Sequence, residues 1–214
     1  MPACAVSHGV RALGILVATI VVAAALAGAA GAKQAAKCRT SDAVLAQNRF
    51  IRVWEHDTGD GENFKLTACR RSDGRRMTML KTLHPLFIGH SVWFHHLTLN
   101  RHFAAFEVEF SGGPECEGEP GFCRRVKLRS YDTRKGGRRL EAGNGQVGVD
   151  ALVVTARGAV AWAEPDGGEE AVQASDAAGT RTLDHGAIDP KSLGVELTIV
   201  SWTRDGEEHF ARLH

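Results

Sequence analysis

The sequence predicts an all-β protein, with antiparallel sheets in a propeller-like arrangement of three to four blades or an incomplete ring. Two observations carry this expectation. One phrase, an apolar run, an Asp and a turn closed by Gly, Arg and a further apolar residue, is written at Asp73-Gly74-Arg75-Arg76-Met77, at Asp132 with Gly137-Arg138-Arg139-Leu140, and at Asp176 with Gly179-Thr180-Arg181-Thr182-Leu183. A strand–turn–strand unit cannot bury its own apolar face, so copies of it must pack on one another. Apolar and polar residues also alternate through most of the chain after Lys33, where no stretch holds a helical period.

Taken in order, the first element is an export signal. Residues 12–30 carry no charge, Arg11 precedes them, and Ala30-Gly31-Ala32 supplies the small-x-small pattern of a cleavage site. Residues 1–32 therefore read as a signal peptide and 33–214 as one β-propeller-like domain. The alternative is an uncleaved anchor, since the apolar run approaches spanning length. Either reading places the remainder outside the cytoplasm, secreted or in the cell envelope. Cys4 leaves with the signal, and Cys38, Cys69, Cys116 and Cys123 remain as an even set suited to disulfides. Of the possible pairings, Cys116–Cys123 would close the Gly- and Pro-containing loop between them, and Cys38–Cys69 would close a longer one. Loop-closure entropy assigns these about 2.5 and about 3.7 kcal/mol.

Charge divides the chain. Residues 33–140 hold 20 Lys and Arg against 12 Asp and Glu, whereas residues 141–214 hold 5 against 13. The total is balanced, which excludes a general nucleic-acid binder. Opposite halves attract each other within one fold or between molecules as a homo-oligomer.

Strands are expected at Phe50–Trp54, Phe64–Cys69 and Met77–Leu80, then at 91–99, 102–110, 124–131, 138–142, 150–155, 159–164, 170–175, 181–184, 195–202 and 207–213. Residues 147–186 hold four of them in about 40 residues, the size of one blade. Residues 86–142 form a second unit. Residues 49–80 resemble the outer pair of a blade and 193–214 an inner pair, and each would complete the other, since closing a ring removes free edges.

The candidate chemistry is sparse. His84, His90, His95, His96 and His102 cluster in sequence. With Asn100-Arg101 as the hairpin turn, His95 and His96 point to opposite faces, and His95 lies about 13 Å from His102. One ion could then be held only with help from His84 or His90. Asp57-Thr58-Gly59 matches the aspartic-protease tripeptide, but in a charged turn rather than an apolar strand. Gly143-Asn144-Gly145-Gln146-Val147-Gly148 fits a dinucleotide fingerprint by letters, yet precedes a strand rather than a helix, and reads as a connector. Trp93, Trp162 and Trp202 recur in the inner hairpins; they pack between sheets, or line a concave face suited to a sugar or peptide.

The C-terminal third carries a resemblance. Gly158-Ala159-Val160-Ala161-Trp162, Asp176 with Gly179 and Arg181, Leu183–Leu193 and Leu197–Trp202 resemble uncharacterised secreted actinobacterial proteins with degenerate TolB-type and WD40-like propeller repeats. That resemblance implies export and propeller-like sheets. It carries no catalytic residue and implies no cofactor. The expected function is an extracytoplasmic binding module for an envelope protein, peptide or glycan, without evident catalysis. The alternative is a secreted hydrolase or metal-dependent enzyme using the His84–His102 cluster.

Overall fold

The computed structural model describes residues 38–57, 64–82, 91–112, 123–145 and 148–214. All regular structure among them is β-strand, arranged in four antiparallel sheets. Sheet 1 is β1 (Val44–Gln47), β2 (Ile51–Asp57), β3 (Phe64–Arg70) and β4 (Arg76–Lys81). Sheet 2 is β5 (Ser91–Asn100), β6 (Phe103–Ser111), β7 (Arg124–Asp132) and β8 (Gly137–Gly145). Sheet 3 is β9 (Ala151–Val154), β10 (Val160–Asp166), β11 (Glu169–Asp176) and β12 (Gly179–Gly186). Sheet 4 is β13 (Ile188–Glu196), β14 (Ile199–Arg204) and β15 (Glu207–Arg212). Each sheet is a meander, with every strand paired to its neighbour in sequence.

Three apolar cores join the sheets in series. Ile51, Val53, Leu66 and Ala68 of sheet 1 meet Ala104, Phe106, Val108 and Tyr131 of sheet 2. On the opposite face of sheet 2, Phe103, Ala105, Leu128 and Ala142 meet Leu152, Val154, Val160 and Trp162 of sheet 3. The other face of sheet 3, with Ala159, Ala161, Val172 and Ala174, meets Val200 and Trp202 of sheet 4. Alternation alone explains this: Ala104 and Phe106 face one way along β6, Phe103 and Ala105 the other. The alanines at the centre let neighbouring sheets close on the larger rings. The first strands follow the same series, β1 beside β5, β5 beside β9 and β9 beside β13.

Polar contacts fix the stack. The Tyr131 ring lies parallel to that of Phe106 at 5.6 Å, and its hydroxyl donates to the Met79 carbonyl of sheet 1. Burial pushes that phenol above its ordinary value. Ser130 Oγ donates to the Gly158 carbonyl across the second seam at 2.9 Å. Gly158 has φ of 89°, and a Cβ there would sit 2.6 Å from the Phe103 ring, so only glycine fits. At the third seam Trp202 Nε1 donates to Asp184 Oδ2 at 2.7 Å, and Arg204 pairs with the same carboxylate.

The threefold Asp phrase falls at one place in three sheets, the turn between third and fourth strands. In each, the carboxylate accepts the backbone N–H two residues on: Arg75 to Asp73, Arg134 to Asp132 and Ala178 to Asp176, at 3.1, 2.9 and 2.9 Å. The closing apolar residues Met77, Leu140 and Leu183 pack on the first, second and third cores respectively. The arginine of the phrase is less uniform than the sequence implies. Asp176 pairs with Arg181 of its own phrase, whereas Asp73 pairs with Arg70 and Asp132 with Arg134.

Two expectations are corrected. The first sheet and the last do not complete each other. β1 gives sheet 1 its own fourth strand, and β13 begins at Ile188 and gives sheet 4 a third. Among the described residues no core joins sheet 4 back to sheet 1. The β5–β6 turn is Arg101-His102, not Asn100-Arg101: Asn100 pairs with Phe103, and Arg101 takes φ of 49°.

Cys38 and Cys69 form the expected disulfide, across 31 residues of sequence. Both are buried with Trp54 on the face of sheet 1 turned away from sheet 2. Cys123 is also disulfide-bonded; Cys116, its expected partner, lies outside the described residues, as do residues 1–37 with the expected export signal.

Two predictions follow from these restraints. Cys69→Ser opens the 31-residue loop and lowers the unfolding free energy by about 3–4 kcal/mol, read from urea unfolding of oxidised protein. Asp176 is held well below the usual carboxylate range, first by the Arg181 guanidinium and then by the N–H groups of His214 and Ala178. A carboxylate depressed in the folded state stabilises the fold above the unfolded-chain value of about 3.9, and this contribution fades as pH falls through the folded value. Asp176→Asn therefore costs about 2 kcal/mol at pH 7, and its unfolding curve converges on that of the parent protein in acid.

Candidate binding site

An irregularity in β5 changes what the histidines do. His95 pairs with Glu107 and Thr98 with Ala105, so His96 and Leu97 together oppose Phe106 alone. This is a β-bulge, and His96 takes φ of 51° to make it. The bulge cancels the alternation that would have sent neighbouring side chains to opposite faces. His95 Nε2 lies 3.7 Å from Glu109, and His96 Nε2 lies 3.7 Å from Glu107. The two imidazoles thus meet two carboxylates spaced two residues apart on one face of β6.

The surroundings set these carboxylates apart. Glu107 is 2% exposed, and burial pushes its carboxyl above the ordinary value, against the pull of His96 and of the Val149 N–H. Glu109 accepts a hydrogen bond from Arg124 Nη2 at 2.7 Å, which holds it below the ordinary value. Sheet 3 closes in through Gly148, where a Cβ would lie 3.2 Å from Glu107 Oε1 and 3.4 Å from Arg124 Nη2. Trp93 stands opposite Glu109 on β5 and is 47% exposed. An open indole, two half-open imidazoles and an anchored carboxylate therefore share one patch at the seam of sheets 2 and 3.

The other sequence candidates go elsewhere. His102 sits in the turn at the far end of the hairpin, its ring 4.4 Å from that of Phe50, and burial pushes its pKa down. His84 and His90 lie outside the described residues. Asp57 ends β2, with Thr58 and Gly59 outside the described residues. The stretch from Gly143 to Gly148 joins sheet 2 to sheet 3, with Gln146 and Val147 outside the described residues. Trp162 and Trp202 are buried in the second and third cores; Trp93 alone of the three is open. It stands on a first strand, whereas the buried pair stand on second strands. Among the described residues no group of three or more His, Cys, Asp and Glu side chains is arranged to hold a metal ion. Nor is any helix among them long and apolar enough to cross a membrane.

Sequence reasoning missed Glu107 and Glu109. Their signal was Phe106-Glu107-Val108-Glu109-Phe110, two acids on the same face of an otherwise apolar strand. It also missed a cavity of about 380 Å³ on the outer face of sheet 1, lined by Asp42, Trp54, His56, Lys65, Thr67 and Arg76 among others.

No family model, no curated protein and no solved structure matches the chain.

Glu107 gives a pH test of the patch. A carboxyl whose pKa is raised on folding makes the folded state the tighter proton binder, so stability falls as pH rises from the unfolded value through the folded one. Glu107→Gln removes that fall. Urea midpoints of parent and variant, compared between acid and neutral pH, show a shallower slope for the variant.

Proposed function

We propose that the protein is an exported, non-enzymatic binding module whose ligand is a glycan of the cell envelope. The observation that carries this reading is the exposed Trp93 beside His95, His96 and Glu109. An indole face takes the C–H face of a sugar ring, and imidazoles and a carboxylate supply donors and acceptors for its hydroxyls. Export is supported by the Cys38–Cys69 disulfide and by the bonded state of Cys123, which need an oxidising compartment to persist. It agrees with residues 1–32 acting as a signal peptide. The serial packing of four sheets and the shared Asp turns support an open propeller-like arc of the TolB or WD40 kind.

Binding is favoured over turnover by the accessibility of the groups. A general acid has to reach its substrate, and Glu107, the carboxyl of this patch whose pKa is raised, is buried against Val149.

The test is calorimetric titration of soluble cell-wall glycan fragments into the oxidised protein. Saturable binding is expected, weakened about tenfold by Trp93→Ala, equivalent to about 1.4 kcal/mol. Binding that ignores Trp93, or no binding at all, would contradict the proposal.

A further inference from the structure

The two ends of the stack carry complementary faces. Alternation in sheet 1 points Ile51, Val53, Leu66 and Ala68 into the first core and sends their neighbours to the outer face. Those neighbours include Arg52, Lys65, Arg76 and Lys81, with no acidic side chain at the paired positions from Arg52 to His56 and from Lys65 to Cys69 on that face. Asp42, just before β1, is taken up by His56 at 3.1 Å. In sheet 4, Val200 and Trp202 point into the third core. The opposite face presents Asp189, Glu196 and Glu208 with Arg212, and Lys191 is exposed in the irregular stretch of β13 beside them.

The apolar pattern agrees. Among the described residues the exposed large apolar side chains are Val44, Leu45, Trp93, Leu197, Ile199 and Phe210. All but Trp93 lie on sheet 1 or sheet 4. Phe210 is 61% exposed, and it pairs with Ser201 beside Ile199 in the middle of the acidic face. Isolated exposed apolar residues are ordinary; their concentration at both ends of a stack, each framed by charge of opposite sign, is not. Between sheets, this fold already uses one kind of joint, an apolar face laid on an apolar face. The outer face of sheet 4 is left without that joint, and that of sheet 1 carries only the small buried cluster of Cys38, Trp54 and Cys69, with basic side chains around it.

We propose that the outer face of sheet 4 docks on the outer face of sheet 1 in a second copy of the chain. Applied twice about a two-fold axis, this contact closes two chains into one ring of eight sheets, within the usual blade range of about four to eight. Cation meets anion at the rim of each joint, and Phe210 and Ile199 meet Val44, which shares the outer face with its partner Trp54. The split of charge between the halves of the chain is then the device that sets the order of the sheets around the ring.

Sedimentation equilibrium of the oxidised chain is the test. The mass expected is that of two copies, falling towards one as salt rises. Phe210→Asp gives one copy. The double variant Lys65→Glu/Lys81→Glu gives one copy, and so does Glu196→Lys/Glu208→Lys. An equimolar mixture of the two double variants recovers the two-copy mass, because each interface again joins opposite charges; a misfolded variant could not recover it. A single-copy parent protein, a dimer that survives these changes, a mixture that stays monomeric, or growth into open filaments would each overturn the proposal.

Discussion

Sheets 2 and 3 each have an apolar core on either face. Each carries apolar side chains on both sides, and both sides must be covered, so neither sheet can exist without two neighbours. The rest of the architecture follows from this need. Phe106 and Tyr131 need sheet 1, Trp162 needs sheet 2, and Trp202 ties sheet 4 to Asp184 of sheet 3. The Asp turns serve the same end. By capping the hairpin between third and fourth strands, each sets the register that delivers Met77, Leu140 or Leu183 to its core. Sheet 1 is braced from outside as well, where the Cys38–Cys69 bond and the Arg76 guanidinium, 5.4 Å from the Trp54 ring centre, cover its other face.

The patch on β5 depends on a defect in this order. A regular hairpin would have sent His95 and His96 to opposite faces and separated them. The left-handed residue at His96 spends backbone freedom to bring both rings over Glu107 and Glu109. It does so at the seam where Gly148 lets sheet 3 come close. A bulge beside a seam is a common place for a site, because it re-aims side chains without disturbing the cores on either side.

Much of the fold was legible in the residues, because alternation and turn chemistry are local. The meander of 147–186 needed only the Arg157-Gly158 turn, the Ala159–Glu164 alternation and the Asp176 turn to be recognised. β1 was not legible, because Val44-Leu45-Ala46-Gln47 is short, exposed and shows no strict alternation. The grouping of the first sheet failed for that reason; that of the last failed because 195–202, expected as one strand, is folded back at Leu197, with φ of 53°, into the end of β13 and the start of β14. The candidate site was legible in its parts only: the histidines stand out by number, but their geometry turns on a bulge at His96 that alternation does not reveal. Moving the two-residue turn by one position shifts the pairing by two and keeps each face; the bulge at His96 and Leu97 alone turns over Ser91–His95. Trp93 was singled out with Trp162 and Trp202, and only packing distinguishes the open ring from the buried pair.

Hydrogen exchange of the native oxidised protein tests the serial packing most directly. A stack whose middle sheets are covered on both faces has its slowest amides in β6, β7, β10 and β11, with faster exchange in β1 and β15 at the ends. Uniform protection across the four sheets, or the slowest exchange in sheet 4, would contradict it.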